Sequence, residues 1–230
     1  ESARDRILMG QKRESTALSD VEKEAIAYHE AGHAVCAVVL PAADPLHKVT
    51  IIPSGMALGV TMQLPEAERH IYRQDYIEDS LVGRMGGRVA EQLVFGQVST
   101  GANDDLVRNT ELARKMVREW GMSEKVGPMA WGSQGEVFMG DQMVSTKEYS
   151  DQMAHVIDAE VSQILREAEQ RCHDVLTTHR YGLDLVARAL LERETIAGDE
   201  VSRLLGVAQT TNNPDAAPAN AAELTEPNAS

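Results

Sequence analysis

His29-Glu30-Ala31-Gly32-His33 sets two imidazoles four residues apart, with a carboxylate directly after the first. At 3.6 residues per helical turn, His29 and His33 leave the same helix face one turn apart, so they can share one ion. Zinc suits such a pair, because it accepts imidazole nitrogen and carboxylate oxygen in a tetrahedral shell, and a catalytic zinc keeps one position for water. Glu30 is spaced to reach that water rather than the ion. It is therefore the candidate general base for attack on a metal-polarised carbonyl, handing the proton on to a leaving amine. The chemistry this pattern points to is metal-assisted peptide hydrolysis.

Two imidazoles need a third protein ligand. The longer zinc-peptidase pattern would put another His six residues beyond His33, where this chain has Val39, so the ligand must come from elsewhere. Asp104 and Asp105 stand out because they open a helical segment directly after Ser99-Thr100-Gly101-Ala102, and a helix N-terminus holds a carboxylate in a fixed orientation. Both are also ordinary helix-opening residues, and from the residues alone a ligand role for either stays open. Cys36, three residues past His33, reads as a small buried hydrophobe rather than a ligand.

These groups need elements to position them. Ser19 followed by Glu22 is a capping box, which predicts a helix from Asp20 to about Leu40 that Pro41 ends. His47–Ile52 and Gly59–Leu64 are β-branched or apolar runs around Pro53-Ser54-Gly55, the pattern of a small antiparallel ribbon that would make up most of the sheet. Helical periodicity returns from Glu66 to Phe95, with an interruption expected at Gly86-Gly87, and Gly96 closes it. Asp104 to Trp120 reads as a helix with Leu106, Leu112, Ala113, Met116 and Val117 inward. A Gly-rich irregular stretch from Gly121 to Gly140 precedes a long amphipathic helix carrying Met153, Val156, Ile157, Val161, Ile164, Leu165, Ala168, Val175 and Leu176 on one face. Tyr181-Gly182 is expected to break it, before a helix from Leu183 to Glu192 and a last short one from Gly198 to Leu205. The fold class is thus mainly α, a zincin-like metallopeptidase domain of amphipathic helices with a small antiparallel β-ribbon. Residues 1–18 read as a linker, 19–207 as the domain, and 208–230, rich in Ala, Asn and Pro, as a disordered tail.

Composition narrows the partners. Among 230 residues, 22 Lys and Arg face 36 Asp and Glu, giving a net charge of −14 with no dense basic cluster, which argues against nucleic acid. Cys36 and Cys172, far apart in sequence, give no disulfide framework and fit a reducing compartment. No apolar run approaches the ~20 residues of a membrane span, so this segment is expected to be soluble. It opens on Glu1 rather than Met, so a membrane anchor is expected outside it.

Beyond the metal motif, Ile7-Leu8-Met9-Gly10, Tyr28 to His33, Asp44 to Ile51, Ala57-Leu58-Gly59, Gly86 to Glu91, Ser99 to Ala102, Trp120 to Ser123 and Glu194-Thr195-Ile196 resemble the FtsH family of ATP-dependent zinc proteases. The resemblance covers nearly the whole chain. It implies that Asp105 is the third zinc ligand, with Asp104 standing where the family usually has Asn. It implies a homohexamer, held through an N-terminal anchor at the cytoplasmic face of a bacterial plasma membrane or at an organelle inner membrane, degrading unfolded or misassembled polypeptides. ATP and magnesium would belong to an ATPase module preceding residue 1, since this chain has no Gly-x-x-x-x-Gly-Lys-Ser/Thr phosphate loop. Two rivals stand beside this reading: a proteolytically inactive relative serving as scaffold or chaperone ring, against which the intact Glu30 argues, and a helical interaction module with incidental histidines.

Overall fold

The computed structural model describes residues 18–53, 57–65, 68–131, 138–139, 142–143 and 149–207. Residues 1–17 of the linker expected over 1–18, and the tail expected over 208–230, lie outside the described residues. Within them the chain forms six α-helices: α1 (Asp20–Val39), α2 (Gln74–Phe95), α3 (Asn103–Arg118), α4 (Asp151–Thr178), α5 (Arg180–Arg193) and α6 (Gly198–Leu205). The strands are β1 (Leu46–Thr50), β2 (Val60–Gln63), a two-residue pair β3 (Phe138–Met139) and β4 (Gln142–Met143), and β5 (Thr195–Ala197). None of the described helices is long and apolar enough to cross a membrane.

α1 begins with the expected reciprocal cap: Glu22 N–H donates to Ser19 Oγ, and Ser19 N–H donates to Glu22 Oε2 at 2.9 Å. Its inward face is made of small residues, with Ala27, Ala31, Ala34, Val35 and Cys36 all inaccessible to solvent. Small side chains let a neighbouring backbone come close. α2 crosses α1 so tightly that a Cβ on Gly86 would stand 2.7 Å from the Gly32 carbonyl oxygen. Hence Gly86-Gly87 does not interrupt α2: the glycines make room for α1 and the helix runs through unbroken.

The core continues through Leu81, Val82 and Met85 of α2, Leu176 of α4, Leu183, Val186 and Leu190 of α5, and Val201 of α6. Against it lies a three-stranded antiparallel sheet of order β2-β1-β5, with Val49 facing Thr61 on one side and Ile196 on the other. The ribbon is as expected, but β5 adds a strand that the sequence pattern did not reveal. A smaller cluster, Ala113, Val117, Val126, Ile157 and Val161, joins α3 to α4.

Three further expectations need correction. α2 starts at Gln74 rather than Glu66, because Arg69 pairs with Asp44 at 3.0 Å and lies over the Tyr76 ring, which holds the preceding segment out of helical register. α5 begins at Arg180 and includes Tyr181-Gly182; the chain turns at His179, and Gly182 lies against Leu205 of α6, whose side-chain end an added Cβ would have to displace. Leu106 is exposed rather than inward, since the first turn of α3 directs Asp105 toward the histidines and so carries its successor outward.

Candidate metal centre

α1 supplies His29, Glu30 and His33 together, and the capping box and the apolar contact with α2 fix the orientation of that helix. The two imidazoles are then oriented from behind. His29 Nδ1–H donates to Glu91 Oε1 on α2 at 2.7 Å, and His33 Nδ1–H donates to the Gly83 carbonyl oxygen, also on α2, at 2.8 Å. Occupying both Nδ1 atoms in this way leaves both Nε2 atoms as the metal-facing nitrogens.

Those nitrogens converge on α3. His29 Nε2 and His33 Nε2 are 3.1 Å apart, and Asp105 Oδ2 stands 3.5 Å from the first and 3.3 Å from the second. Three donors at about 2.0–2.1 Å around a tetrahedral zinc would be separated from one another by about 3.3 Å. The trio therefore fits one zinc ion with little movement. Among the described residues, these three form the group of His, Cys, Asp and Glu able to hold a metal. Asp104, the other residue left open, is exposed and does not join them.

The electrostatics follow from crowding. Burial works against a charged His29, yet hydrogen bonds to Asp105 and Glu91 and the nearby Glu30 carboxylate outweigh it, so the imidazole is pushed up to about 9. Burial also opposes the charge on Asp105, but hydrogen bonds from the two histidines hold it well below the usual carboxylate range. Glu30 is 7% exposed, and burial raises its carboxyl despite the opposing pull of His33 and of the Thr61 hydroxyl, which donates to Oε2 at 2.6 Å.

Of the residues read from the sequence, the structure brings together His29, Glu30, His33 and Asp105. Cys36 is buried in the core at 3.8 Å from Cys172 Sγ, so the two cysteines are neighbours despite their separation in sequence. Residue-level reading missed the supporting groups. Glu91 sits in the Gly86–Glu91 motif, and its carboxylate also receives Ser99 N–H at 2.5 Å and Ser99 Oγ–H at 3.0 Å. Neither Glu91 nor Thr61 carries a spacing pattern in the sequence that links it to the histidines or to Glu30.

The chain is 64% identical over 208 residues to an ATP-dependent zinc metalloprotease FtsH of Acidimicrobium ferrooxidans, covering 90% of this chain and 32% of that protein. It is 51% identical over 216 residues to the ATP-dependent zinc metalloprotease FtsH of Pelobacter propionicus (93% and 34%), and 45% identical over 228 residues to the ATP-dependent zinc metalloprotease FtsH 2 of Salinibacter ruber (96% and 33%). The chain thus spans about a third of the length of the curated relatives it matches. The family model for peptidase family M41 matches residues 16–204, a span containing every group of the centre described above, and the chain belongs to that family.

Proposed function

We propose that this chain is the zinc metalloendopeptidase domain of a membrane-anchored, ATP-dependent protease that degrades unfolded or misassembled proteins. The observation that carries the reading is the convergence of His29 Nε2, His33 Nε2 and Asp105 Oδ2 within 3.1–3.5 Å of one another, beside the buried Glu30, in an M41 peptidase. When bound, zinc supplies a Lewis acid that polarises a carbonyl and lowers the pKa of water. His29, His33 and Asp105 hold it; Glu91 and the Gly83 carbonyl orient the two rings. Glu30 takes the proton from the attacking water at its carboxylate and delivers it to the departing amine.

The substrate is an extended polypeptide. β2 is an edge strand of the three-stranded sheet and lies directly against Glu30, so a peptide added along its outer edge would run past the base. Backbone pairing of this kind is tolerant of side-chain identity, as degradation of many unfolded chains requires. Unfolding and delivery, ATP with magnesium, a homohexameric ring and an anchor at the cytoplasmic face of a plasma membrane, or at an organelle inner membrane, belong to the remainder of the full-length protein.

Metal analysis combined with hydrolysis of an unfolded polypeptide such as casein by the full-length protein, beside Glu30→Gln, tests this. Stoichiometric zinc with activity abolished by E30Q is the expected result. Zinc without activity in the unsubstituted protein would favour a scaffold or chaperone ring, and absence of zinc would sink the metal reading.

A further inference from the structure

Thr61 lies on β2, outside the helix that carries the histidines, yet its hydroxyl is 2.6 Å from Glu30 Oε2 and 3.3 Å from the Glu30 carbonyl oxygen. A threonine hydroxyl has a single hydrogen to give, and the shorter contact, to the carboxylate oxygen, is the stronger one. The other side of the same carboxylate rests on Gly59, where a Cβ would stand 2.6 Å from Oε1 and 2.7 Å from Cγ. Glu30 is thus clamped edge-on against one short stretch of chain: Gly59 leaves the space and Thr61 supplies the hydrogen bond. Thr61 is in turn paired with the fully buried Val49 of β1, so its own position is set by the core.

We propose that Thr61 is a positioning residue for peptide hydrolysis, its hydroxyl fixing the rotation of the Glu30 carboxylate through Oε2 so that Oε1 is left as the proton acceptor. A buried carboxylate with no fixed donor would rotate about its last torsion, a broad two-fold coordinate with little intrinsic preference. General-base transfer depends on placement within hydrogen-bond reach of the proton, so loss of the clamp falls on the chemical step rather than on substrate capture. Because Thr61 belongs to the edge strand that the substrate would join, the same strand registers both the peptide and the base that acts on it.

The proposal rests on Glu30 as the base, and the test separates the two. Thr61→Val, Thr61→Ser, Thr61→Ala and Glu30→Gln are made in the zinc-loaded full-length protein, and steady-state hydrolysis of labelled casein is measured with ATP present. Val matches Thr in shape and favours a strand, and Ala gives the same readout should two methyl groups disturb β2. Both are expected to keep stoichiometric zinc and to lose roughly 10-fold or more in kcat with KM little changed, whereas Ser, retaining the hydroxyl, stays within about threefold of the unsubstituted protein. Unchanged kcat in T61V and T61A, a deficit confined to KM, loss of zinc, or T61S falling as far as T61V would each overturn the role of Thr61. Full activity in E30Q would instead overturn the base assignment itself.

Discussion

Glu91 Oε1 lies 2.7 Å from His29 Nδ1, on the opposite side of the ring from the nitrogen that faces His33 and Asp105. The carboxylate is nearly buried and is itself held by the Ser99 backbone and hydroxyl, which fix it against the imidazole. Partners of this kind fix the ring and raise its basicity toward a metal. Glu91→Gln is therefore expected to weaken zinc binding by roughly 10- to 100-fold. Competition with a chelating dye measures it, and an unaltered dissociation constant would show that Glu91 is a bystander.

Two adjacent carboxylates open α3, but only the second meets the histidines. Asp105→Asn is expected to release zinc and abolish hydrolysis, while Asp104→Asn leaves both in place, because Asp104 is exposed at the helix start. Metal content by plasma emission decides between them. Zinc retained in D105N and lost in D104N would reverse the assignment.

The floor under His29 is Gly87, where any Cβ would overlap the imidazole; at Gly83, one turn earlier, a Cβ would meet nothing within 4 Å. Gly87→Ala is expected to displace His29, costing about 1–3 kcal/mol of stability as overpacking does, together with most of the zinc affinity. Gly83→Ala is expected to melt at or above the temperature of the unsubstituted protein, since alanine favours a helix over glycine by about 1 kcal/mol. Equal zinc affinity in the two variants would contradict this geometry.

Glu160 of α4 accepts from Lys125 Nζ at 2.6 Å and from the Ser123 hydroxyl at 2.8 Å, tying the segment after α3 to α4. The Lys125 hydrogen bond, ahead of the weaker opposing effect of burial, holds its carboxyl below the usual glutamate range. A depressed folded-state value means the stabilisation is present above the unfolded value of about 4.3 and fades as pH falls through the folded one. Urea unfolding should show Glu160→Gln less stable than the unsubstituted protein at about pH 6, with the gap closing as pH is lowered through the acid range. A constant gap across that range would mean that the charge contributes nothing.

Much of this architecture is legible in the residues because it is written locally. Ser19 and Glu22 announce α1, Pro41 closes it, and the four-residue spacing of His29 and His33 needs nothing beyond helical periodicity. What escapes the sequence is contact between distant segments. Gly86-Gly87 looks like a break until α1 is laid across it. Thr195-Ile196-Ala197 is too short to show alternation, and its strand character comes only from pairing with β1. Asp105 can be told from Asp104 within the chain only once α3 is docked, because the first turn of a helix accepts acids for its own reasons. Glu91 and Thr61 act through His29 and Glu30 and carry no spacing signature of their own.

The pairing of β1 with β5 also bears on when the domain becomes competent. His29, Glu30 and His33 are synthesised ahead of the segments that surround them: the central strand lacks its second partner until Thr195–Ala197 has been made, and α5, which packs against α1, arrives only just before it. Closure of the sheet beside the metal centre thus waits for a segment far along the chain from the histidines themselves.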